Sequence, residues 1–215
     1  MLYLLVFLAE ILLLYFLSKR LKNTLFNFFY KITKSKKLTL YLFAFIFLPG
    51  TYFHEFAHGL VALPLFVKRG DLSLKPTFED NGIKLGHIKI SQVDPLRRTI
   101  IGIAPFLLGC ICIFAIIQLS LSYNLLHSPL AIIIIGYIVF QVGNSMFSSR
   151  IDLQQSWKAI IILLIIATLL HLTGFNLDPS ITTQLTTLLQ KTNLFLLIPI
   201  TLDLIIVCII SLCTK

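Results

Sequence analysis

Apolar runs long enough to cross a bilayer recur along the chain, separated by short polar or basic stretches. A helix needs about 20 apolar residues to span the hydrocarbon core. By that measure the pattern predicts five or six spans, near 1–17, 40–66, 99–123, 129–147, 158–173 and 193–213. The first contains Glu10. It reads as a retained span, because no charged segment precedes it and no small-residue cleavage site follows. The second is long enough to tilt and carries Pro49-Gly50, a predicted kink or break. Residues 18–37 are basic, aromatic and partly amphipathic, a pattern suited to the membrane interface. The Thr-rich stretch 176–192 reads as a surface loop or short helix.

Between the second and third spans the period changes. In 67–95, the segments Asp71-Leu72-Ser73-Leu74-Lys75 and Ile83-Lys84-Leu85-Gly86-His87-Ile88-Lys89-Ile90 alternate apolar and polar residues. Asn81-Gly82 lies between them with Pro76 upstream, and together they predict a small β-hairpin or sheet. The expected fold is therefore an all-α polytopic membrane protein of about six transmembrane helices. It forms a single membrane domain over 1–215, with a β-rich insert at 67–95. No internal repeat or low-complexity linker interrupts it.

Composition agrees with that class. Charged residues make up 13% of the 215 residues and hydrophobic ones 57%, where a soluble domain carries roughly a quarter charged. The net charge of +9 resides mainly beside the apolar runs, at Lys19-Arg20, 34–37, Lys68-Arg69 and Arg97-Arg98. Juxtamembrane Lys and Arg anchor helices at anionic headgroups. The basic balance thus implies a lipid bilayer as partner and no nucleic acid, since no polar segment interleaves aromatic and basic residues. Cys110, Cys112, Cys208 and Cys213 lie in or at the end of apolar spans without metal-ligand spacing.

The chemistry is concentrated in the second span, which contains His54-Glu55-Phe56-Ala57-His58. Positions four apart share one helix face, so both imidazoles can reach one metal ion. Zn²⁺ lowers the pKa of a water towards about 7, and Glu55 stands close enough to take its proton. The pattern arises by chance in roughly one chain of this length in a few hundred. Ionisable groups within a span are costly unless paired or metal-bound, and they mark function. The bland alternative is a polar patch hydrogen-bonded to neighbouring helices.

Two histidines need a third protein ligand, with the fourth position left for water. Spans three and four, joined by a short loop near 121–129, form a helical hairpin. It returns the chain near residue 150 to the side where it left span two, and the acid there is Asp152. Glu10, Asp178 and Asp203 lie on other spans or the far loop, and Asp71, Glu79, Asp80 and Asp94 belong to the insert. The competing role for Asp152 is a helix N-cap. His87, His127 and His171 have no partner at ligand spacing and read as structural or exposed.

From about residue 40 to 153 the chain resembles the site-2 protease family of intramembrane zinc metallopeptidases. That family pairs an H-E-x-x-H helix with a later N-x-x-P-x-P-x-x-D-G helix. Asn144 and Asp152 keep the eight-residue spacing, with Ile151 in the apolar place before the acid. Phe147 and Ser149 stand where the prolines would be, and Leu153 replaces the glycine. Ala104-Pro105 with Gly109 is similar to the small-residue stretch of the family's middle helix. The resemblance implies one Zn²⁺ per chain held by His54, His58 and Asp152. It implies Glu55 as general base and later proton donor to the leaving amine, Asn144 as a hold on the substrate backbone, and a membrane-protein substrate. A transmembrane substrate must unwind before cleavage, because its peptide groups are otherwise bonded internally. The edge of the insert is placed to capture the unwound segment by strand addition, or else is an ordinary solvated connection.

Orientation is contested by charge. Residues 18–38 carry seven basic residues and no acid, and the insert with its flank carries seven basic residues against four acids. Both cannot lie inside unless span two is broken at Pro49-Gly50. The uncharged loops near 122–129 and 174–190, the terminal Lys215 and the resemblance favour a site opening to the cytoplasm. Two other classes fit the residues: a catalytically inactive membrane protein with a structural metal or polar cluster, and a small transporter component. The second predicts two related halves with discontinuous helices, and no such symmetry is visible. Substrate identity and oligomeric state have no signal.

Overall fold

The computed structural model describes residues 2–74, 76–79, 82–90, 93–147, 157, 161, 162, 165, 168, 169 and 178–213. The long helices are α1 (Leu2–Thr33), α2 (Lys36–Ala62), α3 (Pro95–Ser122), α4 (Pro129–Ser145) and α5 (Pro179–Cys213). Three of them, α1, α3 and α5, are long and apolar enough to cross a membrane. The expected spans at 40–66 and 129–147 correspond to α2 and to the 17-residue α4. The expected span at 158–173 lies largely outside the described residues.

Two boundaries differ from the sequence pattern. The basic stretch 18–37 forms no separate interfacial helix, because α1 runs without interruption to Thr33. Its Leu14, Leu17, Ser18, Leu21 and Leu25 are buried on one stripe, so packing carries the helix through the basic region. From Pro179 on, the Thr-rich stretch is likewise helical and opens α5. Asp178 caps it, accepting from the Ser180 amide at 2.7 Å, and Pro179 occupies the first turn. The Ser180 hydrogen bonds hold the Asp178 carboxyl below the usual carboxylate range. Thr182, Thr183, Thr186 and Thr187 turn their hydroxyls back to carbonyls four residues earlier, so these polar side chains fit a helix surface.

Between α2 and α3 lie four short strands, β1 (Arg69–Ser73), β2 (Thr77–Glu79), β3 (Gly82–Lys84) and β4 (His87–Ile90). β1 pairs antiparallel with β4, with Leu72 opposite Ile88, and β2 pairs antiparallel with β3.

Polar contacts set the helix directions. Tyr137, Gln141 and Ser145 on α4 bond Ile46, Gly50 and His54 on α2, each pair including a step of 91 residues, so the two helices run parallel in fixed register. Asn193 of α5 donates to the Tyr3 carbonyl of α1 at 2.9 Å. Farther on, Leu21, Leu25, Val207 and Ile210 share one buried cluster, so α1 and α5 run parallel to each other and opposite to α2 and α4. α2 continues helically through Pro49, so the break that would place both basic regions on one side is not there. The outer surface is apolar, with Phe45, Leu130 and Ile133 exposed, while Thr39, His54, His58, Gln141, Asn144 and Asp203 are buried. That inverts the usual soluble arrangement, as a lipid-facing protein requires.

The directions predict that the start of α3 and the start of α5 share one side, with the α1–α2 and α3–α4 turns on the other. In a cysteine-free background, single cysteines at Leu96 and Ser180 should label from one face of sealed vesicles. Cysteines at Ser35 and Leu125 should label from the opposite face.

Candidate metal centre

His54, Glu55 and His58 sit on the inward face of α2, with exposures of 2%, 8% and 6%. Each histidine is held by a backbone carbonyl from a different helix. His54 Nδ1–H donates to Ser145 at 2.7 Å, and His58 Nδ1–H donates to Ile101 at 2.9 Å. A carbonyl oxygen can only accept, so the partners assign the Nδ1 hydrogens. A neutral ring then carries its lone pair on Nε2.

Both carbonyls are available for a structural reason. Ser145 is the last residue of α4, where helix carbonyls lack an intrahelical donor. Ile101 lies four residues before Pro105, which has no N–H to give it. In the apolar interior each oxygen needs a donor, and each receives an imidazole.

The consequence is a pair of Nε2 atoms 3.2 Å apart, with the two rings perpendicular. Tetrahedral zinc with Zn–N bonds of about 2.0–2.1 Å puts two nitrogen ligands about 3.3 Å apart. The two imidazoles therefore fit zinc in both chemistry and spacing, and the carbonyls behind them fix tautomer and ring angle.

Glu55 turns its carboxylate towards the insert, where Oε2 accepts the Ile88 amide at 2.8 Å. Leu72 and Ile88 are therefore a non-hydrogen-bonded pair in the ladder, and the edge of β4 away from β1 faces α2. Gly86 permits this approach: a Cβ there would lie 2.9 Å from Thr51 Cγ2 and 3.0 Å from the Ser73 carbonyl.

Among the described residues no group of three or more His, Cys, Asp or Glu side chains gathers around one point. Asp152, the expected third ligand, lies outside the described residues, as does His171. Glu10 stands on α1 and Asp203 on α5.

Asn144, expected at a substrate backbone, is directed elsewhere. Its side-chain nitrogen donates to the Phe140 carbonyl at 3.0 Å and to Asp203 Oδ1 at 2.7 Å. Its own carbonyl accepts Lys22 Nζ at 2.7 Å and Ser18 Oγ at 3.5 Å. Asn144 and Asp203 are both fully buried, so this cluster ties α4 to α1 and α5. A lysine ammonium at the C-terminal end of α4 also complements the helix dipole. Sequence reasoning noted Asp203 only as a weak ligand candidate and gave Lys22 to the interface. Their signal was ionisable residues in or beside apolar runs, but the partners come from helices far apart in the chain.

Asp203→Ala is expected to cost about 1.5–3 kcal/mol, the range for a hydrogen bond to a charged group. Thermal unfolding in detergent reads this as a lower Tm. Asn144→Leu with Asp203→Leu should recover only part of the loss, since the Lys22 ammonium beside the pair is then left without its opposite charge.

The chain matches no family model, no curated protein and no solved structure.

Proposed function

We propose that the chain is an intramembrane zinc metallopeptidase that hydrolyses peptide bonds in or near transmembrane segments of protein substrates. The observation that carries the reading is the Nε2 pair of His54 and His58, 3.2 Å apart with both Nδ1 hydrogens already committed to carbonyls. The adjacent Glu55 supports it. In this reading one Zn²⁺ per chain is held by His54, His58 and Asp152, in a multi-pass membrane domain opening to the cytoplasm.

Zinc would supply Lewis acidity and a lowered water pKa. The protein's own part is proton movement and positioning. Glu55 accepts the proton of the water that adds to the scissile carbonyl carbon. It then delivers that proton to the amine nitrogen as the C–N bond opens. The polypeptide substrate reaches Glu55 along β4, whose outward edge can pair with an unwound strand. The Ile88 amide that now bonds Glu55 lies on that edge. Asn144 engages its amide nitrogen with Phe140 and Asp203, so a hold on the substrate backbone would fall to its Oδ1, which has no partner among the described residues.

Protein purified without chelator should hold about one zinc per chain by elemental analysis, reduced in His54→Ala and Asp152→Ala. No zinc in the wild type rules out the proposal. Full metal affinity in Asp152→Ala moves the third ligand elsewhere.

Glu55→Gln should bind zinc, because Glu55 is not a ligand. Its amide cannot accept the proton, so hydrolysis should fall at least about a hundredfold. The assay reconstitutes both proteins in lipid with tagged single-span substrates carrying helix-weakening residues. Equal cleavage by wild type and Glu55→Gln removes the role assigned to Glu55.

A further inference from the structure

We infer that Gln141 is a positioning residue for the metal centre: its carboxamide bridges α2 at Pro49 and sets the angle at which His54 and His58 are presented. This deepens the metallopeptidase reading and rests on it.

The argument starts from Pro49, which lies five residues before His54 and removes one N–H from the α2 ladder. Just beyond it, the Ile46 carbonyl and the Gly50 amide form one i to i+4 step of the helix. Gln141 spans that step from α4. Its Nε2 donates to the Ile46 carbonyl at 2.7 Å, and its Oε1 accepts the Gly50 amide at 3.2 Å. Tyr137 Oη donates to the same Ile46 carbonyl at 3.1 Å. Gln141 is 2% exposed, and both ends of its carboxamide are used.

Gly50 is shaped to this contact. A Cβ on Gly50 would stand 2.7 Å from the Gln141 carbonyl oxygen and 2.8 Å from Oε1. Only glycine lets the two helices meet with the carboxamide between them. A side chain inserted into a helix at a proline sets the local bend. One turn later His54 meets Ser145, one turn after Gln141 on α4. The two contacts share the same register step of 91 residues, so the angle fixed at Gly50 is handed directly to the metal-facing ring.

The test compares intact wild type with Gln141→Leu, Gln141→Asn and Gly50→Ala in detergent. Gln141→Asn keeps a carboxamide but is one methylene too short to reach both groups. Asn193→Leu is the control, since Asn193 joins α5 to α1 through the Tyr3 carbonyl and touches neither α2 nor α4 by that bond. Zinc affinity is measured by chelator competition and site geometry by the visible spectrum of the Co²⁺-substituted protein. Losing a group that orients a metal ligand from behind weakens metal binding about 10–100-fold. That loss is expected in all three variants, with an altered Co²⁺ spectrum. Gln141→Leu combined with Gly50→Ala should be no worse than either alone, because both remove one bridge.

Wild-type affinity and spectrum in Gln141→Leu and Gln141→Asn would overturn the inference. So would an equal loss in Asn193→Leu, which would mean general loosening of the bundle. If Gln141→Leu does not fold, Gln141→Asn carries the test, since it leaves a polar group at the position. Absence of zinc from the wild type overturns the metallopeptidase reading and this inference with it. That outcome is seen in the wild-type sample alone, before any variant is compared.

Discussion

Inside a bilayer a backbone carbonyl without a donor has no water to turn to, and this constraint organises the centre of the molecule. Two such oxygens meet the face of α2: Ser145 at the end of α4, and Ile101, deprived of its helical donor by Pro105. His54 and His58 satisfy them through Nδ1. Satisfying the carbonyls leaves the two Nε2 atoms 3.2 Å apart, close to the spacing of two nitrogen ligands of one tetrahedral zinc. One set of hydrogen bonds therefore closes helix packing and sets the spacing of the two Nε2 atoms. Neither imidazole can turn to another tautomer without leaving a buried carbonyl unpaired, a loss of about 1–3 kcal/mol.

α4 is the element through which these requirements pass. On one side its residues bond α2 in a register that holds from Ile46 to His54. On the other, Asn144 reaches Asp203 of α5, and the Asn144 carbonyl receives Lys22 of α1. The carbonyls of residues 144 and 145 thus take donors from opposite directions, one from a lysine and one from a metal-ligand candidate. A shift of α4 along its axis would unpair both at once.

The sequence carried the helical class, the approximate positions of five apolar segments and the His54-Glu55-His58 constellation, because each is a local pattern. Helix ends were harder. α1 and α5 extend into polar stretches, through a buried leucine stripe in one and back-bonded threonines with an Asp178 cap in the other. The partners of the site were not visible at all. The acceptors of the histidines are main-chain atoms 91 and 43 residues away, and a main-chain atom leaves no residue type to recognise. Only Pro105 offered a clue, since a proline within an apolar helix announces a free carbonyl four residues earlier. Asn144 shows the opposite risk. Its spacing to Asp152 suggested a substrate contact, whereas its side chain lies among α1 and α5.

Lipid is as apolar as leucine, so burial of apolar side chains does not by itself drive helices together in a membrane. What remains is close packing and hydrogen bonding, and glycines show where these operate. At Gly50 a Cβ would strike Gln141, at Gly143 it would come within 2.9 Å of Pro199 Cβ, and at Gly109 within 2.6 Å of the buried Met146. The three contacts join α4 to α2, α5 and α3 in turn, so the shortest of these helices is approached closely on three sides. Its polar residues, Gln141 and Asn144, lie between the same helices: Gln141 uses both ends of its carboxamide there, while Asn144 engages its amide nitrogen and leaves Oδ1 without a partner among the described residues. The close approach is what brings the donors within reach, and the hydrogen bonds are what fix the register of that approach. Neither would hold Ser145 against His54 alone. A bundle held mainly by lipid-facing leucines could slide, and the Nε2 pair could not stay at a ligand's spacing.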